Sequence, residues 1–396
     1  MFMPAPFDLL IPRRVVYGWG RRAELGTLAA SLGRRVLLID GSRTLRRSLE
    51  WTALIETLEK SGLKVESVAS TSAEPSIQDV DEATEIVRQL SPGPGDLVLA
   101  IGGGSALDLG KAVAAMAMNG NDRSVREFLE GIGTGAVIEH DPLPVLAVPT
   151  TAGTGSEATK NAVISCPDPA CKKSLRSERM VPAIVLLDPE LTVSVPAAQT
   201  ASSGMDAMTQ LLESLVTRKA QPATDALCIA GLKLSLGTLN TAYHHPDDRL
   251  ARESMCLAAF YSGVALANSG LGLAHGVAAA LGAICEIPHG LACAVMLPAT
   301  LKVNVSVLKD KLKSLSPLLG TDPGWKDIPP DALAEHVIET VETLCQELQI
   351  PSRLRDVGVL QSQLPQIAAG SQGNSLSGNP VALSPEQLTA LLEELW

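Results

Sequence analysis

The chain has 396 residues, more than one ordinary core accommodates, so two domains are expected. Hydrophobic residues make up 46% and charged residues 19%, which describes a globular protein and excludes a disordered one. A net charge of -11 excludes a nucleic-acid surface, which needs clustered Lys and Arg; the small group Arg43, Arg46 and Arg47 reads as a solvated helix face or at most a cofactor contact.

Seven cysteines without a CxxC spacing argue against a disulfide framework or a thiolate zinc site, and point to a reduced, cytoplasmic compartment. The first residues, MFMPAPFDLLIPRR, lack the pattern of a signal peptide. Apolar runs are broken by Gly, Asn, Glu or His before they reach the length of a membrane span, so no membrane partner is expected.

After an N-terminal lead, RRVLLID (34–40) is a continuous apolar run, the mark of a strand buried on both faces. Leu45, Leu49, Leu54, Ile55 and Leu58 then recur at helical spacing, LKVESVAS forms a second strand, and Ile77 to Leu90 carries a second amphipathic stripe. GDLVLAIGGG is a third strand, LPVLAVP (143–149) a fourth, and AVIS (162–165) and AIVLLDPEL (183–191) complete this half. Strands alternating with helices imply a parallel sheet covered by helices.

The third strand ends in Gly102, Gly103, Gly104 and Ser105, and a helix follows at once. Glycines let a ligand approach the backbone, and the helix N-terminus adds partial positive charge, an arrangement suited to phosphate. Asp108 lies in the first turn, where a carboxylate is favoured. The fourth strand leads into Pro149–Glu157, PTTAGTGSE, whose hydroxyls and glycines build a loop able to wrap a polar ligand.

From about Pro196 the chain becomes Ala- and Leu-rich and reads as a helical bundle, with GMDAMTQLLE, Met255 to Asn268, Leu333 to Leu348 and Glu386 to Leu395 as helices and 370–384 as a loop. Domains of 1–192 and 193–396 follow. Two of the six histidines, His275 and His289, stand fourteen residues apart in an apolar run. On one unbroken helix they would be about 21 Å apart, too far for one ion, so the chain must turn between them, with Gly282 and Pro288 as the expected break. Gln210 lies one helical turn after Asp206. Asp206, Gln210, His275 and His289 thus form a four-point cradle for a divalent transition metal.

Together, GGGSALDLGK, PTTAGTGSE, GMDAMT, the HG followed by PHG, and the late SGNP resemble the iron-containing, or group III, alcohol dehydrogenase family over nearly the whole chain. That resemblance implies an N-terminal Rossmann-like α/β domain and a C-terminal all-α metal domain, the architecture of dehydroquinate synthase. It implies interconversion of a small alcohol with its aldehyde or ketone, with Asp206, His275 and His289 as catalytic metal ligands and Gln210 at the fourth ligand position. Iron is the first expectation, with zinc or nickel as alternatives. The cofactor-binding set it implies is Gly41, Ser42, Gly102, Gly103, Gly104, Ser105, Asp108, Thr150, Thr151, Thr154 and Lys172, with Lys173 competing for the last role. A homodimer or higher homo-oligomer is also implied.

The chain departs from that family at two chemical positions: Gln210 replaces a histidine ligand, which would shift metal preference toward harder ions, and Ala279 replaces a histidine assigned to proton relay. His244 and His245, as replacements for the relay, read as a surface turn. Gly41 aligns with the acidic residue of NAD-preferring members, which tilts NAD(P) toward NADP; aligning Asp40 there would reverse this. Three alternatives follow: a metal-free NAD(P)H reductase of the maleylacetate reductase type, a lyase related to dehydroquinate synthase, and a catalytically dead dinucleotide-binding protein.

Overall fold

The structure, a computed structural model, describes residues 6–41, 43–71, 73–168, 170–319 and 325–396. It divides into two compact units. One comprises Leu10–Thr151 and Gly155–Val195; the other comprises Ala152–Thr154, Pro196–Trp396 and the short segment ending at Leu9.

The first unit contains, in order, β1 (Arg14–Tyr17), α1 (Leu25–Ala30), β2 (Arg35–Asp40), α2 (Arg43–Arg46), α3 (Leu49–Lys60), β3 (Lys64–Ser70), α4 (Ile77–Gln89), β4 (Asp96–Gly102), α5 (Gly104–Asn119), β5 (Val145–Pro149), β6 (Asn161–Pro167), β7 (Ala170–Arg176) and β8 (Ile184–Leu187). Six strands pair in parallel in the order β1-β8-β5-β4-β2-β3. Their uninterrupted apolar runs feed two cores, because successive side chains point to opposite faces. Leu37, Ile39, Val98, Ala100, Val145 and Ala147 enter the core shared with α4 and α5. Val36, Leu38, Leu97, Leu99, Leu146 and Val148 enter the one shared with α1 and α3. Helix starts follow side-chain chemistry: Ser48 caps α3, and Ser76 with Asp79 forms a capping box on α4.

Three departures from the sequence expectation occur here. β1 was not expected; its four residues are too few and too polar at the start to show a periodic signal. AVIS does not join the main sheet, since β6 pairs antiparallel with the unexpected β7 as a separate hairpin. Arg46 is not simply solvated: it ion-pairs with Asp40 at 2.6 Å and lies over the Trp51 ring.

The second unit is helical: α6 (Ala197–Val216), α7 (Pro222–His244), α8 (Arg249–Ser269), α9 (Leu273–Cys285), α10 (His289–Val303), α11 (Val305–Leu319), α12 (Leu333–Glu347), α13 (Leu364–Gly370), α14 (Asn374–Gly378) and α15 (Pro385–Leu395). α6 is the central helix, packed by α7, α8 and α10, and it is buried all round from Ser203 to Val216. Two apolar cores surround it, one built from α6, α7, α8 and α12, the other from α9, α10, α13 and α15. The 370–384 stretch is not simply a loop, because Asn374–Gly378 forms the short α14. Among the described residues no single helix is long and apolar enough to cross a membrane.

Gly282 does not break the chain between the two histidines. α9 runs through it to Cys285, Glu286 then adopts a left-handed conformation (φ 56), and Pro288 precedes α10 as its N-terminal cap. Glycine alone lowers helix propensity by only about 1 kcal/mol, which burial of Ala280, Leu281 and Gly282 offsets. The proline and the left-handed residue supply the turn.

Candidate functional site

In the helical unit, α6 carries Asp206, Gln210 and Glu213 at offsets of four and three, hence on one stripe. α9 presents His275 from its first turn, and α10 presents His289 as its first residue. Each histidine is followed by a glycine, for a steric reason. A Cβ on Gly290 would lie 2.6 Å from the Ser202 carbonyl of α6, and one on Gly276 would lie 3.0 Å from Leu376 of α14. The missing side chains let α10 and α9 close in, bringing the His275 and His289 rings to 5.4 Å, centre to centre.

His275 Nε2 faces Asp206 Oδ1 at 3.3 Å, and His289 Nε2 lies 3.8 Å from the same oxygen. Cys293, one turn after His289 on α10, brings Sγ to 3.7 Å from His289 Nε2. The four donor atoms of Asp206, His275, His289 and Cys293 all lie within 4.8 Å of one another. Asp206, His275 and Cys293 are buried, whereas the His289 side chain is 34% exposed and forms the open side.

Behind His275 stands Glu213. Its carboxylate accepts from His275 Nδ1 at 2.7 Å and from the backbone amides of Gly272 at 2.9 Å and Ala274 at 2.6 Å. A carboxylate on Nδ1 fixes the tautomer and turns Nε2 toward Asp206, an arrangement typical of metal-binding histidines. Asn379, from the SGNP tract, accepts from the Leu273 amide and is itself held by Asn304, securing the start of α9.

Gln210 is buried beside the cluster, but its amide oxygen accepts a 2.6 Å hydrogen bond from Ser262 on α8. Ala279 is half-buried on α9, and His244 and His245 are exposed at the end of α7, as a surface turn requires.

The electrostatics call for a cation. Burial pushes the Asp206 carboxyl up, yet His289 and His275 hold it below its ordinary value. Burial opposes charge on His275, but Cys293, Asp206 and Glu213 raise it well above 6.5. Cys293, then Asp206, push His289 up to about 9 against desolvation. Both imidazoles thus stand against buried carboxylate charge, a setting that favours a cation.

In the α/β unit, β2, β4 and β5 end side by side, the crevice where open parallel sheets bind ligands. A Cβ on Gly102 (φ 153) would lie 2.7 Å from Ala106 Cβ, and one on Gly41 would lie 2.6 Å from the same atom. Gly41, Gly102 and Ala106 are therefore in backbone-close packing. α5 begins at Gly104 after Gly103, without a side-chain cap, which leaves Ser105 in the first turn and the helix start available to an anion. The Thr150 amide donates to the Gly102 carbonyl at 2.9 Å, and Thr151 Oγ1 flanks Gly103.

Other expected cofactor residues are engaged structurally. Asp108 accepts from Ser156 Oγ and the Val163 amide and pairs with Lys111, fastening α5 to the loop and to β6. Lys172 is ion-paired with Glu74, and Lys173 lies beside Gly131. Thr154 groups with the helical unit. Ser42 lies outside the described residues. Asp40 is buried, accepting from Arg46 and, at 3.0 Å, from Ser70 Oγ.

The profile described as iron-containing alcohol dehydrogenase matches residues 12–189, and that described as Fe-containing alcohol dehydrogenase family, C-terminal, matches residues 200–396. The chain belongs to the iron-containing alcohol dehydrogenase family. It is 30% identical over 361 residues to the NAD-dependent methanol dehydrogenase of Bacillus methanolicus, covering 91% of this chain and 92% of that one. It is also 30% identical over 382 residues to lactaldehyde reductase of Escherichia coli (strain K12), covering 96% and 97%. The crystal structure of a 1,3-propanediol oxidoreductase superposes with a TM-score of 0.88 at 28% identity, over 99% of this chain and 100% of that one. As a member of this family the protein is an oxidoreductase that interconverts alcohols and carbonyl compounds.

Sequence reasoning missed Glu213 and Cys293 in this cluster. Both carried a signal: Glu213 continues the Asp206, Gln210 stripe, and Cys293 follows His289 by four residues at the start of a helix.

Proposed function

We propose that the protein is a divalent-metal-dependent reductase of small aldehydes, running equally as an alcohol dehydrogenase, with a preference for NADP(H). The observation that carries the reading is the convergence of Asp206, His275 and His289 donors within 4.8 Å on three different helices, with Glu213 locking one imidazole. Buried donors of this type and number fit a transition metal, and Asp206, His275 and His289 would hold it. When bound, such an ion supplies Lewis-acid polarisation of a substrate oxygen, and the dinucleotide supplies or accepts hydride.

The chain's own residues have separate tasks. Gly102, Gly103, Gly104 and Ser105 at the start of α5 receive the pyrophosphate on backbone amides, with Thr150 and Thr151 beside them. Asp108 and Lys111 act indirectly, keeping the loop ending at Glu157 in place. Ala279 carries no proton, so the alcohol proton must pass through water, a cofactor hydroxyl or another residue.

Two observations support NADP(H). A side chain at position 41 collides with Ala106, so no carboxylate fits there, and the Asp40 carboxylate is already occupied by Arg46 and Ser70. Without a carboxylate to bind the ribose hydroxyls, a 2′-phosphate meets no repulsion. The methanol dehydrogenase relative is named NAD-dependent, so the preference proposed for this chain differs from that relative's. Small substrates are favoured by the relatives that act on methanol and lactaldehyde.

The test is initial-rate reduction of a panel of two- to four-carbon aldehydes with NADPH and NADH. The reading expects turnover with kcat/KM at least about tenfold higher for NADPH, a difference of about 1.4 kcal/mol. Preference for NADH would overturn the cofactor assignment, and absence of turnover with either would overturn the activity.

A further inference from the structure

Asp206, His275 and His289 supply three ligands, and Gln210 occupies the position expected of the fourth. We propose that Cys293 is the fourth ligand, in place of Gln210, and that the site takes a thiolate-accepting ion of the zinc, ferrous iron or cobalt class. This rests on the reading of Asp206, His275 and His289 as ligands.

Three of the six donor separations match a tetrahedral site, and all six stay within 4.8 Å. A tetrahedron of ligands at bond lengths of about 2.0 to 2.3 Å has edges of about 3.3 to 3.8 Å. The separations are 3.3 Å for His275 Nε2 to Asp206 Oδ1, 3.8 Å for His289 Nε2 to Asp206 Oδ1, and 3.7 Å for Cys293 Sγ to His289 Nε2. The cause is local: His289 opens α10, and Cys293 lies one turn further on the same face.

Chemistry points the same way. Thiolate is a stronger donor to these ions than a neutral amide oxygen, and the Gln210 oxygen already accepts from Ser262. On binding, the thiol releases its proton to solvent, and one carboxylate plus one thiolate then neutralise a divalent charge in a buried place. Loss of the histidine at position 210 is thereby compensated from another helix, and the expected shift toward hard, oxygen-seeking ions does not occur.

The test uses the full chain freed of metal by chelation and titrated with cobalt(II) alone, followed by absorption. A thiolate ligand produces an intense near-ultraviolet sulfur-to-cobalt charge-transfer band, saturating at one equivalent together with the visible d–d bands. Wild type and Gln210→Ala should show it. Cys293→Ser should lose it, with cobalt affinity reduced by at least about tenfold, the loss that even an outer partner produces. X-ray absorption of zinc-loaded wild type should show one sulfur neighbour at about 2.3 Å, a readout that needs no variant to fold. Stoichiometric cobalt binding with d–d bands alone, or a charge-transfer band that Cys293→Ser retains, would overturn Cys293 while leaving the three-ligand reading intact. Failure of wild type to bind cobalt would overturn both.

Discussion

His275 Nδ1 donates to the Glu213 carboxylate at 2.7 Å, and this one contact fixes which ring nitrogen faces Asp206. Glu213 also accepts from the Gly272 and Ala274 amides, so it joins the start of α9 to α6 while orienting the imidazole. Glu213→Gln keeps the shape but offers only one acceptor atom for these donors. Metal retention should fall about ten- to hundredfold and stability by about 1–3 kcal/mol. Metal analysis after dialysis against a weak chelator, with urea unfolding, checks both; unchanged retention would remove Glu213 from the orienting role.

Gly290 tests the packing that makes the site. Gly290→Ala sets a Cβ against the Ser202 carbonyl, and the overpacking should cost about 1–3 kcal/mol and displace His289 from Asp206, so metal content should fall with stability. Gly237→Ala is the contrast: it lies within α7 with nothing near the added Cβ, and it should stabilise by up to about 1 kcal/mol without altering metal content. Unfolding midpoints and bound metal, measured on both variants, decide the matter.

Burial pushes the Glu157 carboxyl from its ordinary 4.5 up to about 7, with only partial relief from its own amide and Lys111. The folded pKa lies above the unfolded one, so the unfolded chain loses this proton first. The contribution to stability is therefore fully present below pH 4.5 and lost as pH rises through 7, by up to about 3 kcal/mol. Glu157→Gln should flatten the decline in unfolding midpoint between pH 5 and pH 7.5; an unchanged slope would show that Glu157 does not set it.

Much of this was legible because it is local. Apolar runs marked β2, β4 and β5, and the glycine run after β4 marked the start of α5, since both follow from periodicity and backbone freedom. The need for a turn between His275 and His289 followed from helix rise alone, but Gly282 was the wrong breaker because core packing overrides a single glycine. Glu213 and Cys293 were less visible. Their roles depend on which faces of α6, α9 and α10 meet, a tertiary fact that spacing on one helix does not contain. Asp108, Lys172 and Asp40 show the converse: residues chemically apt for a ligand are taken up by Ser156 and Val163, by Glu74, and by Arg46 and Ser70.

The most direct test of metal-dependent oxidoreduction is NADPH oxidation with a small aldehyde, followed as bound metal is removed by a chelator and then restored with iron or zinc. The account predicts that wild type binds one equivalent, that activity falls in proportion to metal lost, and that re-addition recovers it. It also predicts that Asp206→Ala neither retains metal nor turns over. Full turnover in metal-free protein would contradict it and reassign the chain to metal-free hydride transfer.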